Sequence, residues 1–431
     1  MPPESAAGLW GEDDIDRREE EEAGEGFDFA DFADDELTPA ETCARIEALA
    51  VAHALGVLGL NDGDQGANDD RVPPAALELS ILGREGGVLA ADASERSTLA
   101  FRVPAGAIAG VRLHDPRRPF AYVRIWKMLR ALHAHLSEHR TVTQRGLYYL
   151  LATSDKTLFP TPAAVNRCLT RDCVGLLRCT RRAMGVTAAG RGQVAGSLQI
   201  RGPEGRWRDL SLPGAGHLDV PGDIAAVEDP AVEFRSNARY VLIVEKDAVF
   251  SKLANERVWD RLAMVLVTAK GFPDLATRAF LRRLARRFPE ARVLALVDWN
   301  PSGLLILQTY RSGSGGAALE AGRYALDVGW LGVRCADLRD VPEAARLPLT
   351  DLDRAKIRNM LAVAGAGDDD DGVGEGGGDG AGERRARVFE LTEMRRTGRK
   401  AEIESLYPIE GEGAETLSEY IIQKIVAGDY F

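Results

Sequence analysis

From Tyr122 onward, apolar positions recur every three to four residues. Tyr122, Ile125, Trp126, Leu129, Leu132 and Leu136 mark one face of a helix. A second helix is predicted over Thr141-Val-Thr-Gln-Arg-Gly-Leu-Tyr-Tyr-Leu-Leu151, with Thr141 or Thr143 as its cap and Leu147, Leu150 and Leu151 as its core stripe. Each residue turns the helix by about 100°. Tyr148 therefore falls on the flank and Tyr149 nearly opposite the stripe, with Arg145 one turn before it on the same outward face. After a break at Ser154–Pro160, Thr161-Pro162 supplies a cap and a first-turn proline, and Val165, Leu169, Cys173 and Leu176 continue a helical stripe. Gly190-Arg-Gly192 predicts a turn into a strand, Gln193–Ile200, and Gly202-Pro-Glu-Gly205 a second turn. Residues 119–206 read as a helix-turn-helix followed by a wing, a winged helix of the kind that docks on duplex DNA.

The period changes further along. Tyr240–Val244, Met264–Thr268 and Arg292–Val297 are near-continuous apolar runs, and they alternate with helical stripes such as Leu275, Ala276, Phe280, Leu284 and Phe288. That alternation predicts a parallel βαβ sheet covered on both faces. Right-handed crossovers then bring the carboxyl ends of the strands to one edge, where open α/β sheets hold ligands. Upstream, a helix begins at Pro39, residues 61–75 are polar loop, and residues 76–113 suggest short strands or irregular structure. The organisation expected is an acidic tail at 1–38, an N-terminal region at 39–116, a winged-helix domain at 117–206, a proline-marked linker at 207–237, a parallel α/β domain at 238–345 and a helical extension at 346–431. The last of these carries a Gly- and Asp-rich disordered insert at 365–384.

Charge sharpens this division. The chain has 431 residues and a net charge of -12, yet residues 11–36 alone hold fourteen acidic side chains against two arginines. Residues 117–206 hold sixteen Lys/Arg against four Asp/Glu. An acidic tail thus hides a basic domain, and a polyanion such as nucleic acid is the partner that a basic domain suggests. The tail either competes with that polyanion or keeps the protein soluble. The 45% apolar content supports real cores, but no run of about 18 apolar residues suggests a membrane span. No signal peptide is expected from so acidic a start.

The candidate chemistry sits at two places. An exposed phenol at Tyr149 beside the guanidinium of Arg145 suits nucleophilic attack on a phosphodiester, since the arginine can hold a phosphate and favour the phenolate. Ordinary packing is the alternative for a Tyr-Tyr pair. Glu245 and Asp298 end adjacent strands, and two such carboxylates repel unless a cation binds them. Hard divalent ions, Mg²⁺ above all beside phosphates, prefer such oxygens, and Asn300 could add a carbonyl or bind through water. The alternative for each acid is a helix cap. The five cysteines, Cys43, Cys168, Cys173, Cys179 and Cys335, lack CxxC spacing and fit a reducing compartment. His133, His135 and His139 read as surface or core residues rather than ligands.

Several stretches together resemble one family. Arg145-Gly-Leu-Tyr-Tyr149 followed by Leu158-Phe159, Gly192-Gln-Val-Ala-Gly196, Val244-Glu-Lys-Asp-Ala248, Gly271-Phe-Pro-Asp-Leu-Ala-Thr-Arg278, Val297-Asp-Trp-Asn-Pro-Ser-Gly303, Leu347-Pro-Leu-Thr350 and Lys400-Ala-Glu-Ile-Glu404 occur in order. From about Phe120 onward the chain is similar to the meiotic double-strand-break transesterases, eukaryotic relatives of the A subunit of type IIB topoisomerase VI. The resemblance implies a winged-helix domain joined to a Toprim domain, Tyr149 as the attacking residue, and Mg²⁺ on Glu245, Asp298 and Asn300. It also implies double-stranded DNA as substrate, a homodimer, a topoisomerase VI B-type partner and a nuclear location. Two positions depart from the family, which usually has an acid at Gly146 and often a second aspartate at Asn300. Two other roles stay open: a topoisomerase subunit that passes strands with an ATPase partner, and a DNA-binding scaffold without the chemistry.

Overall fold

The computed structural model describes residues 27–28, 37–58, 78–82, 88–91, 99–103, 108–113, 115, 118, 120–188, 190–313, 323–339, 341–365, 380–407 and 416–431. They form two compact units that part between Thr187 and Ala188, each with its own buried apolar cluster. Most of the acidic tail lies outside the described residues, apart from a short strand.

The first unit contains β1 (Phe27–Asp28), α1 (Pro39–Val57), β2 (Glu78–Leu82), β3 (Val88–Ala91), β4 (Leu99–Val103), β5 (Ile108–Arg112), α2 (Ala121–Ser137), β6 (Val142–Thr143), α3 (Gln144–Ser154), α4 (Pro162–Arg167), α5 (Val174–Leu177) and β7 (Val186–Thr187). A capping box at Thr38 and Glu41 starts α1. Strands β2 and β5 pair antiparallel, so the region with no firm sequence reading is strand after all. On α2 the expected stripe is buried, with Ile125, Leu129 and Leu132 wholly enclosed and Trp126 half-buried. Between α4 and α5 the helix widens into π turns over Cys168–Cys173. Such turns take more residues each than an α-helix. That keeps Val165, Leu169, Cys173 and Leu177 on one buried face and leaves Leu176, expected in the stripe, at its margin.

The second unit holds β8 (Gln193–Gly196), β9 (Gln199–Arg201), β10 (Trp207–Asp209), β11 (Leu218–Asp219), α6 (Ile224–Glu228), β12 (Glu233–Arg235), β13 (Tyr240–Val244), α7 (Asp247–Asn255), β14 (Met264–Thr268), α8 (Leu275–Arg287), β15 (Arg292–Leu296), α9 (Pro301–Ser312), β16 (Gly329–Gly332), β17 (Leu347–Pro348), α10 (Asp351–Gly365), α11 (Gly380–Thr397), β18 (Arg399–Lys400) and α12 (Leu417–Ala427). Its main sheet runs β11-β8-β14-β13-β15-β16. The last four strands in that order are mutually parallel, as the apolar runs predict, and β8 and β11 extend the sheet antiparallel.

Three expectations are corrected here. The expected wing strand joins the second unit rather than the first: Gln193–Gly196 pairs antiparallel with Met264–Thr268 of the main sheet, and Gln199–Arg201 pairs with β10 and β12. At Gly196, φ is +102° and an added Cβ would lie 2.6 Å from the carbonyl oxygen of Met264, so glycine allows that close strand approach. The segment 207–237 is no linker. Its short strands and α6 bury Leu210, Val220, Ile224, Val227 and Phe234 in the core of the second unit. The stretch 365–384, expected to be disordered, is helical at both ends, because α10 reaches Gly365 and α11 begins at Gly380; residues 366–379 lie outside the described residues.

Candidate active site

The tyrosine and the carboxylates lie in different units, and each group is built locally. On α3, Thr143 is the N-cap, and its Oγ1 accepts the backbone N–H of Gly146 at 3.0 Å. The Nε2 of Gln144 donates to Asn166 Oδ1, which ties the start of α3 to α4. Leu147 and Leu151 are buried and Tyr148 is half-buried against the core. Leu150, expected in the stripe, is 48% exposed. The buried arc is centred between Leu147, Leu151 and Tyr148, so Leu150 falls more than a quarter turn away. By the same geometry Tyr149 is turned well outward, about 150° from the centre of that arc, and it is 56% exposed. Its ring stands 5.3 Å from that of Tyr148, tilted by 53°. Arg145 is exposed one turn before it, and Arg167, Arg171 and Arg178 are exposed along the next helical segment.

In the second unit β13 and β15 are hydrogen-bonded neighbours, with Val244 opposite Leu296. Their C-terminal ends deliver Glu245 and Asp298 side by side, both buried. Glu245 Oε2 accepts the backbone N–H of Asp298 at 2.9 Å. Asp298 Oδ1 accepts the N–H of Ile403 at 2.9 Å, and its Oδ2 accepts from Asn300 Nδ2 at 3.3 Å. Asn300 is the N-cap of α9, with Oδ1 accepting the N–H of Gly303 at 2.7 Å. The carbonyl that would ligate an ion is thus engaged in capping, and its amide faces Asp298. The structure therefore brings Glu245, Asp298 and Asn300 together.

It adds three groups to which the sequence reading gave no role. Lys246 Nζ lies 3.3 Å from Asp298 Oδ1, 3.1 Å from Glu402 Oε2 and 2.6 Å from Glu404 Oε2. Glu402 and Glu404 arrive on a segment that bridges Ala401 to Trp299. Both stretches carry family-like motifs, but nothing in their spacing shows that they meet. Burial pushes the Glu245 carboxyl up to about 7, with the charge of Asp298 adding to the shift. Burial also raises Asp298, against the N–H of Ile403 and the Lys246 charge. Burial opposes the charge on Lys246, but its hydrogen bonds to Glu404 and Glu402 and the charge of Asp298 outweigh it, so its pKa is raised. Three carboxylates contact the Lys246 ammonium and Glu245 lies beside Asp298, an acidic, oxygen-rich setting of the kind a hard divalent cation prefers.

Comparison with known proteins gives consistent matches. A family model for the Toprim domain shared by Spo11 and the topoisomerase 6 A subunit matches residues 240–425, and one described as "Type IIB DNA topoisomerase" matches residues 121–186. The chain is 37% identical over 400 residues to meiotic recombination protein SPO11-2 of Oryza sativa subsp. japonica, covering 92% of this chain and 94% of that protein. It is 35% identical over 396 residues to SPO11-2 of Arabidopsis thaliana, with the same coverage of each. The A subunit of DNA topoisomerase 6 from Arabidopsis thaliana is 36% identical over 254 residues, 57% of each chain.

Proposed function

The chain belongs to the family that unites Spo11 with the A subunit of topoisomerase VI, and we propose that it is a DNA transesterase whose double-strand breaks initiate meiotic recombination. The observation that carries this reading is the alignment with two SPO11-2 proteins over nine-tenths of its length, with Tyr149 as the outward tyrosine of a capped helix. Coverage favours the meiotic role over strand passage, because the matched stretch of the topoisomerase relative is shorter.

In this mechanism Tyr149 Oη attacks a backbone phosphorus. The bond to the 3′-oxygen breaks, that oxygen takes up the proton lost by the phenol, and the 5′-phosphate stays on the tyrosine. One phosphoester replaces another, so the cut itself needs no ATP. Arg145 steadies the phosphate as charge redistributes, and the exposed arginines beyond it hold the neighbouring backbone. The helical part of the first unit, whose ends are tied by the short parallel pair β6 and β7, serves as the helix-turn-helix DNA platform. Glu245 and Asp298 would hold Mg²⁺, and Asn300 keeps Asp298 in register while capping α9. The ion bound there would supply positive charge to offset that of the DNA phosphates. Lys246, with Glu402 and Glu404, fixes the position of Asp298. Two copies of the chain, each cutting one strand, with a B-type partner, make the complete nuclear enzyme.

The test is covalent capture on DNA with Mg²⁺. Tyr149→Phe should abolish the phosphotyrosyl adduct, and Tyr148→Phe should retain it. The reverse pattern would overturn the assignment. Full DNA affinity with no adduct from the parent protein would instead support the scaffold role that Gly146 and Asn300 leave open.

A further inference from the structure

A second group of metal-binding side chains lies in the first unit, unrelated to the carboxylates above. Cys43 and Glu47 stand one turn apart on α1, and His133 faces them from α2. One ligand atom from each lies within 4.8 Å of the others. Glu47 Oε1 is 2.8 Å from His133 Nε2 and 3.8 Å from Cys43 Sγ. A tetrahedral zinc ion with bonds of about 2.0–2.3 Å separates its ligand atoms by roughly 3.3–3.6 Å. The three atoms need to shift by less than about 1 Å to meet that geometry.

The hydrogen bonds around His133 point the same way. Ser137 Oγ donates its one proton to the carbonyl oxygen of His133 at 2.8 Å, and the same oxygen lies 3.4 Å from His133 Nδ1. With its proton on that carbonyl, the hydroxyl can accept from Nδ1–H or from the Cys43 thiol, 3.5 Å away. In the tautomer that carries its proton on Nδ1, Nε2 turns a lone pair toward the Glu47 carboxylate, and a metal ion between them would satisfy both. An outer hydrogen bond at Nδ1 with Nε2 turned inward is the usual posture of a ligating imidazole. The interface itself is lightly packed. On α1 only Thr42, Ile46 and Gly56 are buried, and further contact comes from polar pairs such as His53 Nε2 with Tyr122 Oη at 2.8 Å.

We propose that Cys43, Glu47 and His133 bind a zinc ion that fastens α1 to α2. Binding replaces the thiol proton of Cys43, which passes to solvent, with a sulfur–zinc bond, and leaves a fourth position for water. A thiolate, an imidazole and a carboxylate favour zinc over Mg²⁺ or Ca²⁺. The other cysteines compete poorly. Cys168, Cys173 and Cys179 are buried, and burial with the Glu390 charge pushes the Cys335 thiol up to about 12.

The test is Co²⁺ titration of the full chain, with Zn²⁺ as competitor. A sulfur-to-cobalt charge-transfer band should appear with one equivalent, disappear on adding Zn²⁺, and persist in Cys335→Ser. Cys43→Ser should remove the band, and Glu47→Gln should weaken Co²⁺ binding at least about tenfold while keeping the fold. Zn²⁺ should also slow hydrogen exchange in α1 of the parent and not in Cys43→Ser. If no band forms, or if it survives in Cys43→Ser, the three side chains are joined by hydrogen bonds alone and the proposal fails.

Discussion

Gly303 lies on the third residue of α9, directly over the backbone of Asp298. A Cβ there would stand 2.3 Å from the Asp298 carbonyl oxygen, 3.1 Å from its nitrogen and 3.2 Å from its carbonyl carbon. All three are backbone atoms, so no side chain can swing away. Relief needs a displacement of about 1 Å between α9 and the end of β15, and overpacking on that scale costs typically 1–3 kcal/mol. Alanine recovers up to about 1 kcal/mol through helix propensity. Gly303→Ala should therefore destabilise the protein by about 1–2 kcal/mol. The same shift stretches the Asp298 N–H to Glu245 contact and the Asn300 cap, so affinity for Mn²⁺, as a probe for Mg²⁺, should fall at least about tenfold. Urea denaturation and Mn²⁺ binding followed by electron paramagnetic resonance measure the two effects. Gly382 on α11 has open space around its Cβ position, and Gly382→Ala should leave Mn²⁺ binding unchanged. If Gly303→Ala matched the parent in stability and in Mn²⁺ affinity, the link between α9 and the carboxylates would be wrong.

Other expectations follow from the same geometry. The carboxyl of Glu245, near 7 when folded against an ordinary 4.5, holds its proton longer in the folded state than in the unfolded one. Metal-free protein should therefore lose stability as pH rises from about 4.5 to about 7, by at most about 3 kcal/mol, a loss absent in Glu245→Gln and offset by Mg²⁺. Denaturation midpoints in a chelator at pH 5 and 7.5 check this. Gly146→Glu would complete a capping box with Thr143 and should stabilise α3 by about 0.5–1 kcal/mol, seen as a higher melting temperature. Removing residues 1–38 should raise DNA affinity at low salt and lose that effect at high salt, measured by fluorescence anisotropy; unchanged affinity would make the tail a bystander.

Local signals made much of this protein legible in its sequence. The outward turn of Tyr149 follows from helical rotation, and the pairing of Glu245 with Asp298 follows from apolar strands of one length ending at one edge. What escaped depends on partners far along the chain. The strand Gln193–Gly196 has the composition of a wing, and only its pairing with Met264–Thr268 shows the sheet it joins. Residues 207–237 contain segments too short and too interrupted by proline to announce a core. Lys246 meets Glu404 across 158 positions, and His133 meets Glu47 across 86, separations at which spacing rules carry no information. Leu150 and Leu176 show a finer limit, since a small rotation of the buried arc, or one widened turn, moves a residue out of a stripe.

The segment 399–407 is made long after β13 and β15, yet it supplies the N–H that holds Asp298 and two of the acids around Lys246. A chain cut before it would keep both strand-end carboxylates but lose the Ile403 N–H and the two acids that hold Lys246 beside Asp298. The surroundings of Asp298 are therefore complete only once nearly the whole chain has been made.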